Sequence, residues 1–140
     1  MSIIIRMSKR RDWIGKGEIK FAPFEKLLGM RLIELGDGFA RLEMTHKKDF
    51  TNPAGIMHGG AITSLADSAM AIAINTLVDP DVSFFTVKLE TKFKTIVKGG
   101  KIIAEARVKS NRKRLIMAEV VILSEANEVV AFSKGSFMVK

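Results

Sequence analysis

Between Ala61 and Val78 an alanine-rich run continues without a proline or a glycine. Its apolar residues, Ile62, Leu65, Ala66, Ala69, Met70, Ile72, Ala73, Ile74 and Leu77, cover most of a helical circumference, and a helix apolar on most sides has to be surrounded by other structure. The rest of the chain must therefore wrap it. From Ser83 onward the pattern changes to period two, with Phe85, Val87, Leu89, Thr91 and Phe93 alternating with Thr86, Lys88, Glu90, Lys92 and Lys94. Turn signals at Lys98-Gly99-Gly100, Ser110 to Arg114 and Ser124 to Glu128 divide the remainder into four antiparallel strands. Upstream, Pro23 followed by Phe24, Leu27 and Leu28 and closed by Gly29 reads as one or two helical turns. Met30 to Leu35, a Gly36-Asp37-Gly38 turn and Phe39 to Met44 read as a hairpin. At about 1.5 Å per residue the helix is about 28 Å long, which strands of roughly ten residues at about 3.3 Å each can match. Short strands, one buried helix and then long strands predict an α+β fold, a curved antiparallel sheet around one central helix.

A chain of 140 residues suits one domain. Residues 21–140 are assigned to it, after a basic, aperiodic arm over residues 1–20. Nine Phe and eight Met supply a core, and the absence of cysteine excludes disulfides, thiolate nucleophiles and Cys-based metal sites. The apolar run Ile3-Ile4-Ile5 falls short of the roughly seven residues of a signal-peptide core, and no run approaches the roughly 20 that span a bilayer. A cytoplasmic protein without membrane attachment is expected. The net charge of +8 points to an anionic partner.

Chemistry concentrates between Asn52 and Asp67. Gly59 and Gly60 stand where the helix begins, among unpaired backbone N–H groups and at the positive end of the helix dipole. Glycine there lets a carbonyl approach the backbone as an oxyanion hole requires, and it equally makes a tight turn into a helix. Asp67 is the only acid between Asp49 and Asp79, in the most apolar helix, with no Lys or Arg within four residues. Burial without a cation raises a carboxyl toward the range of a general base, and Thr63 and Ser64, one turn back, could hydrogen-bond it. The opposing reading is a polar helix edge facing solvent. Gly59 and Asp67 lie roughly 12 Å apart along one helix, so one reacting carbonyl cannot touch both. If both act together, the carboxylate comes from a second helix, most simply that of a twofold-related subunit. Asn52 could hydrogen-bond a water or a thioester carbonyl, or simply begin a turn before Pro53; His58 suits helix capping better than general-base work. No Gly-x-Ser-x-Gly elbow is present, and His46 and His58 are not spaced as metal ligands, so neither a serine triad nor a metal is expected.

The run Asn52-Pro-Ala-Gly-Ile-Met-His58-Gly59-Gly60-Ala-Ile-Thr-Ser-Leu-Ala-Asp67 resembles the signature of the hot-dog thioesterase superfamily, in its PaaI-type (phenylacetyl-CoA thioesterase-like) branch. The order of elements follows the resemblance from about Pro23 to Val139. It implies a hot-dog fold, a homodimer commonly paired into a homotetramer, and hydrolysis of acyl-CoA thioesters with no cofactor beyond the CoA of the substrate. By position, Asn52 would orient water or the thioester, the Gly59 N–H would polarise the carbonyl, and Asp67 of the partner subunit would be nucleophile or general base. The family's water-positioning Ser or Thr falls on Thr86, although period two puts Thr86 on the face of Lys88 and Glu90, where it would be a solvated strand residue. His58, Gly60 and Ser64 complete the expected site, with Met57, Met70, Ile74, Phe84 and Phe85 as apolar pocket walls.

Arg112-Lys113-Arg114, at a turn between strands, is the densest basic cluster inside the fold and suits the CoA phosphates, as Lys98 and Lys101 do at another turn. Solvated turn charges are the plainer account. The strand aromatics alternate onto the apolar face, so no nucleic-acid surface is expected. Two other functions compete with hydrolysis: a noncatalytic acyl-CoA-binding hot dog, and a hot-dog hydroxyacyl-thioester dehydratase, which needs a catalytic His near an acid.

Overall fold

The structure, a computed structural model, describes residues 21–140; the basic arm assigned to residues 1–20 lies outside the described residues. In order come α1 (Pro23–Leu27), β1 (Arg31–Gly36), β2 (Phe39–Thr45), a 3-10 turn (Lys48–Phe50), α2 (Gly59–Asn75), β3 (Phe84–Phe93), β4 (Lys101–Arg112), β5 (Leu115–Ser124) and β6 (Val129–Val139). The strands form one six-stranded sheet in the order β1-β2-β4-β5-β6-β3, antiparallel throughout. This is the hot-dog architecture: the sheet curls around α2, leaving β1 and β3 as its edges.

Close packing between helix and sheet depends on small residues on both sides. Ala66, Ala69 and Ala73 on α2 and Ala104, Ala106 and Ala131 on the sheet are fully buried, and Leu42, Leu65, Met70, Ile74, Ile102 and Ile122 fill the space around them. Full burial of each such large side chain contributes about 1.5–3 kcal/mol. The tightest point is Gly135 on β6, where an added Cβ would lie 2.8 Å from the Phe137 ring and 3.0 Å from Met70 Cε. Helix α2 ends at Asn75, short of the expected Val78. The Thr76 hydroxyl donates to the Ala73 carbonyl at 2.6 Å and accepts the Gly38 N–H at 2.7 Å, which ties the helix end to the β1–β2 turn.

Two expectations are corrected. The side of α2 that carries Gly60, Ser64, Asp67, Ser68 and Ala71 is not buried in the protomer, so the helix is less enclosed than its composition suggested. The alternation along β3 also changes phase. Its pairing with β6 shifts between Thr86 and Lys88 because Val87 is an extra residue, a β-bulge. Beyond the bulge Leu89, Thr91 and Phe93 face the helix as expected; before it Phe84 and Thr86 do, and Phe85 turns to the outer face beside Met138.

Candidate active site

The bulge decides where Thr86 points. Its hydroxyl donates to Asp67 Oδ1 at 2.8 Å, joining the edge strand to the middle of α2. Asp67 is half-buried and has no cation beside it among the described residues. Burial pushes its carboxyl above the ordinary range, the Thr86 hydroxyl draws it part of the way back, and the Glu25 carboxylate on α1 adds a smaller upward push. The hydroxyls expected to serve Asp67 are engaged elsewhere. Thr63 reaches Thr91 at 3.4 Å, and Ser64 donates to the Gly60 carbonyl at 2.7 Å.

At the start of α2, His58 is the N-cap, and its Nδ1 accepts the Gly60 N–H at 2.8 Å. That bond consumes the Gly60 N–H and, in the neutral ring, leaves the proton on Nε2. The His58 backbone N–H is bonded to the Phe50 carbonyl at 2.6 Å. The Gly59 N–H has no such partner among the described residues. Both glycines are closely approached, Gly60 by the ring that caps it and Gly59 by a ring that would have to give by only a few tenths of an ångström. A Cβ on Gly60 would sit 2.9 Å from His58 Nδ1, and one on Gly59 would sit 3.2 Å from the tip of the Phe93 ring. Asn52 Oδ1 accepts the N–H groups of Ala54 at 2.9 Å and Ile56 at 3.3 Å. These bonds hold the Asn52 side chain across the turn that contains Pro53.

The two groups lie at opposite ends of one edge strand. The free Gly59 N–H lies at the Phe93 end of β3 and the Asp67 carboxylate at the Thr86 end. Beside the start of α2 a cleft of about 340 Å³ is lined by Phe24, Leu28, Phe50, His58, Gly60, Ala61 and Ser64, with Asp49 and Thr51 at its rim. The apolar walls expected of Met57, Met70 and Ile74 are not here: all three are buried in the core. Phe84 packs edge-on against Phe137 with ring centroids 6.0 Å apart. Phe85 is on the outer face because of the bulge. Phe24 and Phe50 line this cleft and Glu25 acts on Asp67, none of which was expected from the sequence; the i, i+4 pair Phe24 and Leu28 was the signal available. A larger concavity of about 480 Å³, lined by Lys92, Arg107, Glu119, Phe132 and Lys134 among others, lies on the outer sheet face, away from these groups.

Of the basic cluster, Arg114 is committed to the Val139 carbonyl through Nε at 3.2 Å and Nη2 at 3.0 Å. Arg112 and Lys113 are exposed. Lys101 is paired with Glu43 at 3.4 Å. No helix of the described residues is long and apolar enough to cross a membrane.

The six-stranded antiparallel sheet curled around one long helix is the hot-dog fold, and the comparisons with known proteins give its class. Residues 54–131 match the family model described as the thioesterase superfamily, and the chain belongs to that family. A candidate esterase of Archaeoglobus fulgidus is 32% identical over 130 residues, covering 90% of this chain and 78% of that protein. The acyl-coenzyme A thioesterase PaaI of Escherichia coli is 29% identical, covering 79% of this chain and 77% of that protein. Among solved structures, a conserved Pseudomonas aeruginosa protein superposes with a TM-score of 0.82 at 27% identity, over 86% of this chain and 95% of the other. The E. coli PaaI protein from the phenylacetic acid degradation operon gives 0.79 at 26% identity, with 85% of each chain covered. The protein is an enzyme of the PaaI-like hot-dog type.

Proposed function

We propose that the protein hydrolyses acyl-CoA thioesters at a site made by two subunits. The observation that carries the reading is Asp67, a carboxylate raised by burial whose hydrogen-bond partner among the described residues is a hydroxyl and not a cation. Such a group accepts a proton more readily than an ordinary carboxylate does. Edge strand β3 has no neighbour on its outer side among the described residues, and free edges pair. Antiparallel pairing of two β3 strands about their middle would lay the Phe93 end of one against the Thr86 end of the other. Each Gly59 would then meet the partner subunit's Asp67, which a single chain, with roughly 12 Å between the two, does not allow. The unburied stripe of α2 next to β3 is small and polar, as a closely approaching second helix requires.

In this arrangement the Gly59 N–H, at the positive end of α2, donates to the thioester oxygen and stabilises the oxyanion. The Asn52 amide adds a second donor. Asp67 of the partner subunit, steadied by the partner's Thr86, takes a proton from water as the water oxygen bonds to the carbonyl carbon. Collapse of the tetrahedral adduct breaks the C–S bond, and the proton passes to the departing CoA sulfur. Free acid and CoA result. The dehydratase alternative loses support because His58 Nδ1 is engaged in capping. A mere acyl-CoA binder gives no reason for the Thr86–Asp67 pair. Arg112 and Lys113 are the available cations at the Thr86 end of the sheet for the CoA phosphates.

The test is thiol release from a panel of aryl- and alkyl-CoA thioesters, with Asp67→Asn as the blank. Turnover is expected in the wild type and a loss of at least about 10²-fold in the variant. Equal activity in the two proteins would overturn the reading. Sedimentation of the native protein reads whether the dimers pair into the homotetramer that the resemblance implies.

A further inference from the structure

Helix α1 has only five residues, and none of them is buried. Its geometry is nonetheless closely fixed. Pro23 occupies the first turn, Glu25 Oε1 accepts the Ala22 N–H at 2.8 Å, and Gly29 closes the segment at a φ of +70° that favours glycine. Leu28 and Met30, which follow it, are the residues that anchor the segment in the core. A helix that buries nothing of its own and is still held in place matters for what it presents. Phe24 and Leu28 are one turn apart and share a face. Leu28 forms the base of the cleft beside His58, Gly60 and Ser64, and Phe24, 55% exposed, forms its outer wall.

We propose that Phe24 is a specificity-determining residue, the wall against which the acyl group of the thioester packs. The assignment rests on the hydrolase reading, since it is the position of the cleft against the start of α2 that makes an acyl group its occupant. At about 340 Å³ the cleft is at the small end of ligand sites, which run from about 300 to 1,000 Å³. Its lining by Phe24, Leu28 and Phe50 suits an apolar acyl group. Asp49 at the rim disfavours an acyl group that carries its own carboxylate.

The experiment measures kcat and KM for thiol release from acetyl-, hexanoyl- and succinyl-CoA in the wild type, Phe24→Ala and Phe24→Leu. The wild type is expected to prefer hexanoyl over succinyl. Phe24→Ala should lower the hexanoyl-to-acetyl ratio of kcat/KM by about tenfold, through KM, because acetyl is too short to use the wall. Phe24→Leu should keep the ratio within about threefold. An unchanged ratio in Phe24→Ala, or an equal loss for both esters, overturns the wall while leaving the hydrolase intact. A wild type that releases no thiol from any ester overturns the hydrolase reading and the assignment built on it.

Discussion

The Thr86 hydroxyl donates to Asp67 Oδ1 across 2.8 Å, from an edge strand to the central helix, and a one-residue bulge at Val87 aims it there. Removing the donor while keeping the shape, as in Thr86→Val, raises the Asp67 pKa further. The acid limb of the kcat/KM profile should move to higher pH and kcat should fall by about 10-fold or more. Thr86→Ser should restore both. A pH–rate profile of the three proteins checks this.

Glu25→Gln should act in the opposite direction. The Glu25 carboxylate is the smallest of the three influences on Asp67, and it pushes the pKa up. Neutralising it moves the acid limb to lower pH by less than Thr86→Val moves it upward. Low-salt buffer should enlarge the effect, since charge interactions between partly exposed groups are screened.

Stability carries the same signature. An acid whose folded-state pKa is raised binds its proton more tightly when folded, so its contribution is full below the unfolded value and is lost as pH rises through the folded one. Asp67→Asn keeps the bond from Thr86 without the charge. Its melting temperature should exceed that of the wild type at pH 7 and converge with it below about pH 4.

Gly135→Ala tests the packing of α2 on the sheet. With contacts of 2.8 Å to the Phe137 ring and 3.0 Å to Met70 Cε, the added methyl should cost about 1–3 kcal/mol in denaturant unfolding.

The sequence carried most of the fold in its two periodicities, and it pointed to the candidate site through the spacing of Asn52, His58, Gly59 and Asp67. Where it misled, the causes are local. Period two cannot register an inserted residue, so Val87 inverted the faces of Phe85 and Thr86. The alanine-rich composition of α2 hid a polar stripe, because alanine is as compatible with a close helix contact as with a core. Phe24 and Glu25 lie 28 and 27 residues before Asn52, where the motif begins, and only the folded chain brings them beside it. The role of His58 was legible as capping, while the partner it caps, Gly60, was readable only from the ring position.

The central claim is that Gly59 and Asp67 act on one carbonyl from different subunits. Gly59→Pro removes the N–H at the first helical position, which accommodates proline, and Asp67→Asn removes the base. Each variant alone should be inactive. The two chains, refolded together in equal amounts, should recover about a quarter of the wild-type rate, because half the dimers are mixed and each of these has one whole site. No recovery in a demonstrably mixed dimer would contradict the two-subunit site.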